Sequence, residues 1–334
     1  MLSTRRVPFV ARQAGQPASQ QTGLSALRRQ PGHRKPLDAP SSRSAPGTGG
    51  MRVLEAIQRS AEYLERRGVE SPRLQSEWML SQVLKIPRLK LYLDFERELE
   101  PSAVDALREM VRRRGRREPL QYILGTAVFC GLEIAVSPDV LIPRPETELL
   151  AERAWTWLRE RTGTKELRAL DVGTGSGCLA IALAVHEPRC EVIAIDVSKA
   201  ALDCARANGE RAGCAERLAW RLGDGFEALE ADERFDLMVS NPPYIPRGEL
   251  GALEPEVRCF EPRLALDGGV DGLDFYRRLA REGTSRLNPG GVWMMEVGFG
   301  QAESVAAILT GENWIVREVI EDYHRVRRHL VAGR

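Results

Sequence analysis

The stretch Asn241-Pro242-Pro243-Tyr244 combines residue types that could grip a planar group carrying an NH2. Each proline lacks an N–H, so this backbone accepts hydrogen bonds and scarcely donates them. The residue before a proline is driven to extended φ/ψ, which holds Asn241 and Pro242 open. The Asn241 side-chain oxygen, the Pro242 carbonyl and a wall from the Tyr244 ring then make a small rigid acceptor site, with Pro243 stiffening it. The same four residues also describe a proline-stiffened loop with Tyr244 packed for bulk. What lies upstream separates the two.

Upstream, Asp171-Val172-Gly173-Thr174-Gly175-Ser176-Gly177 carries glycine at alternate positions, a spacing that differs from the dinucleotide G-x-G-x-x-G. Glycines there permit close backbone approach to a ligand. Asp196 follows about 20 residues later, placed to accept from both hydroxyls of a ribose. Asp224, in Gly223-Asp224-Gly225-Phe226, is a candidate acceptor for an adenine amino group, with Phe226 as a wall for the ring. A turn aspartate between glycines is the plainer alternative.

The elements that must position these residues alternate strand and helix, the mark of a parallel sheet covered on both faces. Strands are expected over 167–171, 191–196, 218–222, 235–240 and 292–297, with closing strands near 314–319 and 326–331. Helices are expected over 178–187, 199–211, 273–287 and 301–309. The glycine turn and the Asn-Pro-Pro-Tyr stretch each follow a strand, at the end where open α/β sheets bind ligands. Before the sheet, Ile142-Pro143-Arg144-Pro145-Glu146-Thr147-Glu148 runs extended and then opens a helix, where Glu146 and Glu148 suit the positive end of the dipole.

Residues 51–117 read as a small helical domain, and 118–141 as a linker with a hairpin of strands at 127–130 and 133–136. In the first helix Val53, Leu54, Ile57, Ala61 and Leu64 share one face, and the second carries Trp78, Met79, Val83 and Leu84. The basic run Arg112-Arg113-Arg114-Gly115-Arg116-Arg117 either touches RNA or an acidic partner, or sits at the negative end of its helix as cations do. Residues 142–334 form the ligand-binding domain.

Residues 1–50 are rich in Arg, Ser, Gln, Pro and Gly and show no apolar periodicity, so disorder is expected. They are a non-structural extension or a mitochondrial or plastid transit peptide, and the former is preferred. Eight basic residues against one acid give this leader +7, which leaves −6 for the rest of a chain whose net charge is +1. That balance argues against a broad nucleic-acid footprint on the folded part. No apolar run reaches the length of a membrane span. The six cysteines lack C-x-x-C spacing and read as reduced, intracellular, apolar residues; no metal site is expected.

Glycine turn, acid, acid and Asn-Pro-Pro-Tyr in this order resemble a class I S-adenosylmethionine-dependent methyltransferase, over residues 118–334. Within that class the chain is similar to the HemK/PrmC family, which methylates a glutamine amide in peptide chain release factors. The segments 142–148, 171–177 and 241–244 carry the resemblance, joined by Glu261-Pro262-Arg263-Leu264-Ala265-Leu266-Asp267-Gly268 and the preceding helices. The resemblance implies a Rossmann-like α/β fold with an N-terminal helical domain, S-adenosyl-L-methionine as cofactor, and the glutamine of a GGQ motif as acceptor. It places Gly173, Thr174, Gly175, Ser176, Gly177, Asp196 and Asn241 at the cofactor, and Asn241, Pro242, Pro243 and Tyr244 at the substrate. Gly225 stands where some members carry an aromatic beside the cofactor, and Phe226 is the neighbouring candidate. A cytoplasmic monomer is the expectation, or an organellar protein if the leader is a transit peptide. The alternatives are a glutamine methyltransferase of a ribosomal protein, an N6-adenine methyltransferase of nucleic acid, and an idle binding module.

Overall fold

A computed structural model describes residues 50–161 and 166–334, and the expectations for the leader lie outside the described residues. The first four helices are α1 (Val53–Glu65), α2 (Pro72–Leu84), α3 (Arg88–Leu91) and α4 (Pro101–Gly115). Pro72 and Pro101 open α2 and α4 at positions where a missing N–H costs nothing. Val53, Ile57, Leu64, Met79, Leu80, Leu107 and Val111 close over a common core. Trp78 of α2 stays outside that core, 44% exposed, with the Arg88 guanidinium over its ring.

The basic run at the end of α4 is neither a free patch nor simply a dipole partner. Arg114 is buried and donates to Gln75 and, at 2.7 Å, to Glu256; Arg117 donates to both oxygens of the same Glu256. Glu256 belongs to a helix of the following region, so two arginines of α4 fasten the helices to it.

Next come a short helix α5 (Leu120–Leu124), which the sequence did not signal, and the expected hairpin of β1 (Thr126–Phe129) and β2 (Leu132–Ala135). The remainder runs α6 (Pro145–Glu160), β3 (Leu167–Val172), α7 (Cys178–His186), β4 (Cys190–Asp196), α8 (Lys199–Arg211), β5 (Leu218–Leu222) and β6 (Phe235–Ser240). It continues with α9 (Pro255–Phe260), α10 (Asp274–Gly283), β7 (Leu287–Glu296), α11 (Ala302–Gly311), β8 (Ile315–Glu321) and β9 (Arg327–Gly333). Helix α10 stops earlier than expected because the chain joins the sheet sooner: Arg286 already accepts from the Phe235 N–H.

The strands order β5-β4-β3-β6-β7-β9-β8; the first five are parallel, and β9 alone runs the other way, antiparallel to both β7 and β8. A wholly parallel sheet is therefore corrected at one edge. The turn between β8 and β9 is too short for a crossover, which leaves only antiparallel pairing. Asp322 closes that turn by accepting from the His324 and Val326 N–H groups. Period-two alternation sends Ala169, Val192, Leu237 and Met294 to one apolar layer and Leu170, Ile193, Met238 and Trp293 to the other. Among the described residues no helix is long and apolar enough to cross a membrane.

Successive strands step outward from β3 in one direction to β4 and β5, and in the other to β6 and β7. The crevice at the carboxyl ends of β3 and β6 is the topological switch point of the sheet.

Candidate active site

A cavity of about 350 Å³ opens at that switch point, with Gly173, Gly175, Asp196, Asp224, Asn241 and Pro243 among its lining residues. The glycine turn forms its floor. Gly173, Gly175 and Gly177 sit at φ of 77°, 55° and 81°, a region that β-carbons disfavour. A β-carbon built on Gly173 or Gly175 meets nothing within 4 Å, whereas one on Gly177 crowds Ala205 and Trp220. The first two glycines thus keep the floor open, and the third lets α7 pack closely.

Thr174 and Ser176 do not line the cavity. Both are buried: Thr174 donates its hydroxyl to Asp171 at 2.6 Å, and the Ser176 carbonyl accepts from Asn208. Asp171, which the sequence reading left without a role, holds the turn from beneath by accepting from Thr174 and from the Ala180 N–H. Burial pushes its carboxyl up to about 7, and its Oδ1 has no partner among the described residues.

Asp196 lines the cavity and also braces the turn, accepting from the Gly175 N–H at 2.8 Å and the Ser198 N–H at 2.9 Å. Burial holds its carboxyl above the usual range. Asp224 lies at the mouth, more than half exposed, in an ion pair with Arg278. Phe226 requires a correction. It is 4% exposed, packed beside Met238 and Gly283, and absent from the cavity wall; the ring in the wall is Phe275 of α10. The backbone twist at Gly225 (φ 61°) turns the next side chain inward, an effect of conformation that residue identities alone do not reveal.

Asn241 and Pro243 also line the cavity, while Pro242 is buried and Tyr244 is turned away from it. Tyr244 is therefore not the wall expected from sequence. Its hydroxyl donates to Glu296 at 3.4 Å, and burial raises its pKa. Asn241 donates from Nδ2 to Thr147 Oγ1 at 3.1 Å, and Thr147 donates to the other Glu296 oxygen at 2.6 Å. Among the described residues no hydrogen bond ends on Asn241 Oδ1 or on the Pro242 carbonyl.

Glu296 ends β7 and stands beside Asn241, because β6 and β7 pair in parallel with Ser240 opposite Met295. It is 1% exposed, and burial raises its carboxyl to about 7. Sequence reasoning missed it. The available signal was one acid closing an apolar run, Val292-Trp293-Met294-Met295-Glu296-Val297.

The segment 261–268 returns beneath the loop: the Ile245 N–H reaches the Leu266 carbonyl, and the Gly268 N–H reaches the Ile245 carbonyl. Buried Glu261 ties this segment to 142–148 by pairing with Arg144.

Residues 55–125 match the PrmC N-terminal domain, and residues 147–251 match the methyltransferase small domain. A release factor glutamine methyltransferase of Geobacter sulfurreducens is 47% identical over 282 residues, covering 84% of this chain and 96% of its own. One from Chlorobaculum tepidum is 41% identical over 287 residues, covering 83% and 96%. The chain belongs to the release factor glutamine methyltransferase family. Among solved structures, a methyltransferase from Pyrococcus furiosus is similar with a TM-score of 0.47 at 21% identity, covering 66% of this chain and 97% of its own.

As a member of that family the protein is an S-adenosylmethionine-dependent methyltransferase with a class I, Rossmann-like sheet. The cavity suits the methyl donor on two counts. Its floor is free of β-carbons at Gly173 and Gly175, and its lining carboxylates, Asp196 and Asp224, offer acceptors for the hydroxyl and amino groups such a molecule carries.

Proposed function

We propose that this protein methylates the side-chain amide nitrogen of the GGQ glutamine in peptide chain release factors, and that Asn241 and Pro242 orient that amide. The observation that carries the reading is the pair of unengaged acceptors, Asn241 Oδ1 and the Pro242 carbonyl, beside an open glycine floor at the switch point. Gly173, Gly175 and Asp196 hold the cofactor, and Asp224 with Arg278 borders its adenine side. Phe275 replaces Phe226 as the apolar wall.

S-adenosylmethionine supplies an electrophilic methyl group on a sulfonium. The chain must supply orientation, because an amide lone pair is delocalised into its carbonyl and attacks poorly. Two acceptors gripping the two amide hydrogens leave the nitrogen facing the methyl group. Orientation of this kind is worth on the order of 7–11 kcal/mol. Asn241 and the Pro242 carbonyl are not strong bases, so the proton passes to solvent as transfer completes. The helices over 51–117, fastened by Arg114 and Arg117, dock the body of the protein substrate. We place the reaction in the cytoplasm and take the active unit as a monomer.

The test incubates the purified protein with methyl-labelled S-adenosylmethionine and, separately, a release factor, a ribosomal fraction and DNA. Label confined to the GGQ peptide is expected. Label on a ribosomal protein or on DNA, with none on the release factor, overturns the reading. In single turnover Asn241→Ala should slow transfer by about a hundredfold, the usual effect of losing one oriented hydrogen bond in a closed site.

A further inference from the structure

Behind Asn241 lies a hydrogen-bond chain whose protons can be counted. Thr147 has one hydroxyl proton. It stands 2.6 Å from Glu296 Oε2, while the second Glu296 oxygen accepts from Tyr244. Above about pH 7 Glu296 is ionised and only accepts, so there the Thr147 proton points to Glu296. Toward Asn241 the Thr147 oxygen therefore offers a lone pair, and only the NH2 side of the carboxamide can meet it, as the 3.1 Å contact does. Oδ1, on the other side of the planar group, is left as the acceptor of a residue that lines the cavity.

We propose that Thr147, oriented by the buried Glu296, is a positioning residue that locks the Asn241 carboxamide with its oxygen forward and so makes the site choose an amide over a carboxylate. This rests on the acceptor role of Asn241 proposed above. An unlocked carboxamide could turn half a revolution and present its NH2 instead. It would then repel a glutamine NH2, donor against donor, and welcome the oxygen of a glutamate. A site that holds one pattern of donors and acceptors rejects the other because a mismatched buried group goes unpaired. The lock is rigid for three reasons. Thr147 sits in the first turn of α6, Glu296 ends the sheet strand β7, and Tyr276 of α10 donates to the Glu296 backbone carbonyl at 2.8 Å.

The experiment, run at about pH 8 where Glu296 is ionised, uses the full chain saturated with S-adenosylhomocysteine and two release-factor loop peptides differing only in Gln or Glu at the acceptor position. Competition binding should favour the Gln peptide by about tenfold or more in the wild type. Thr147→Val, which keeps the shape and removes the hydroxyl, should reduce the preference to about threefold or less, with affinity for S-adenosylhomocysteine changed less than about twofold. Thr147→Ser should restore it. If Thr147→Val does not fold, Thr147→Ala takes its place. A Thr147 variant without a hydroxyl that keeps the wild-type preference overturns the proposal.

If the wild type binds neither peptide, the functional reading fails on its own. The lock is then judged by hydrogen exchange at the Asn241 side-chain NH2, followed by NMR and assigned through its loss in Asn241→Asp. Exchange at least about tenfold faster in Thr147→Val than in wild type and Thr147→Ser upholds the lock; equal rates overturn it.

Discussion

Gly268→Ala isolates the contact between the returning segment and the acceptor loop. A β-carbon at 268 would lie 2.8 Å from the Pro243 carbonyl oxygen, 2.8 Å from Tyr244 Cα and 2.8 Å from Gly272 Cα. Ordinary contact begins at 3.4 Å, so the loop must give way by about 0.6 Å. All three neighbours are backbone atoms, and no side chain can rotate to absorb the strain. Gly268 does not have positive φ, so the conformation itself tolerates alanine and the effect is one of contact. Overpacking of this kind costs about 1–3 kcal/mol. The displaced carbonyl adjoins the Pro242 acceptor, and a misplacement of about 1 Å at a reacting centre can cost a hundredfold. Single-turnover transfer to the release factor should therefore fall by about ten- to a hundredfold. Cofactor affinity, measured by calorimetry, should change less than about threefold, since the glycine turn follows a different strand. Gly251→Ala, where a β-carbon meets nothing within 4 Å, is the matched control and should behave as wild type. A Gly268→Ala protein that melts like the wild type and transfers within about threefold of its rate would refute the reasoning.

Asp196→Ala removes both a cavity acid and the brace on the Gly175 and Ser198 N–H groups, so cofactor affinity should drop by about tenfold or more; unchanged calorimetry would rule out Asp196 as a cofactor contact. Glu256→Ala leaves the buried Arg114 short of its carboxylate and should cost about 2–4 kcal/mol in urea unfolding, below the full loss of a buried pair because Gln75 still accepts from it. A cost below about 0.5 kcal/mol would show the fastening to be dispensable. Asp171, raised to about 7 by burial, keeps its proton in the folded state over a pH range where the unfolded chain has lost it. Its contribution to stability is therefore full below about pH 4 and declines as pH rises toward 7. Glu296 acts in the same direction, and His329, which burial pushes down to about 4, acts in the opposite one. The measurement is accordingly a difference: between pH 5 and 8 Asp171→Asn should gain on the order of 1–3 kcal/mol relative to wild type, and parallel pH profiles would contradict it.

How much of this was legible in the sequence depends on how local each cause is. The limits of α8, β5 and β6 and the positions of the glycine turn and Asn241 were readable, because a helix face, a buried strand or a proline acts within a few residues of itself. The cavity followed from those positions together with the rule that open sheets bind at strand ends. What the cavity touches did not follow. Thr147 meets Asn241 across 94 residues, and Arg114 meets Glu256 across 142, and neither type of residue announces such a partner. Phe226 was the candidate the sequence offered, until the structure put its ring in the core and α10 brought Phe275 to the wall. Tyr244 could have faced either way until Glu296 arrived beside it on β7. Local propensity chose the elements and the short motifs. Strand register and helix packing, which fix distances between residues far apart in the chain, decided which side chains share the site and which way they point.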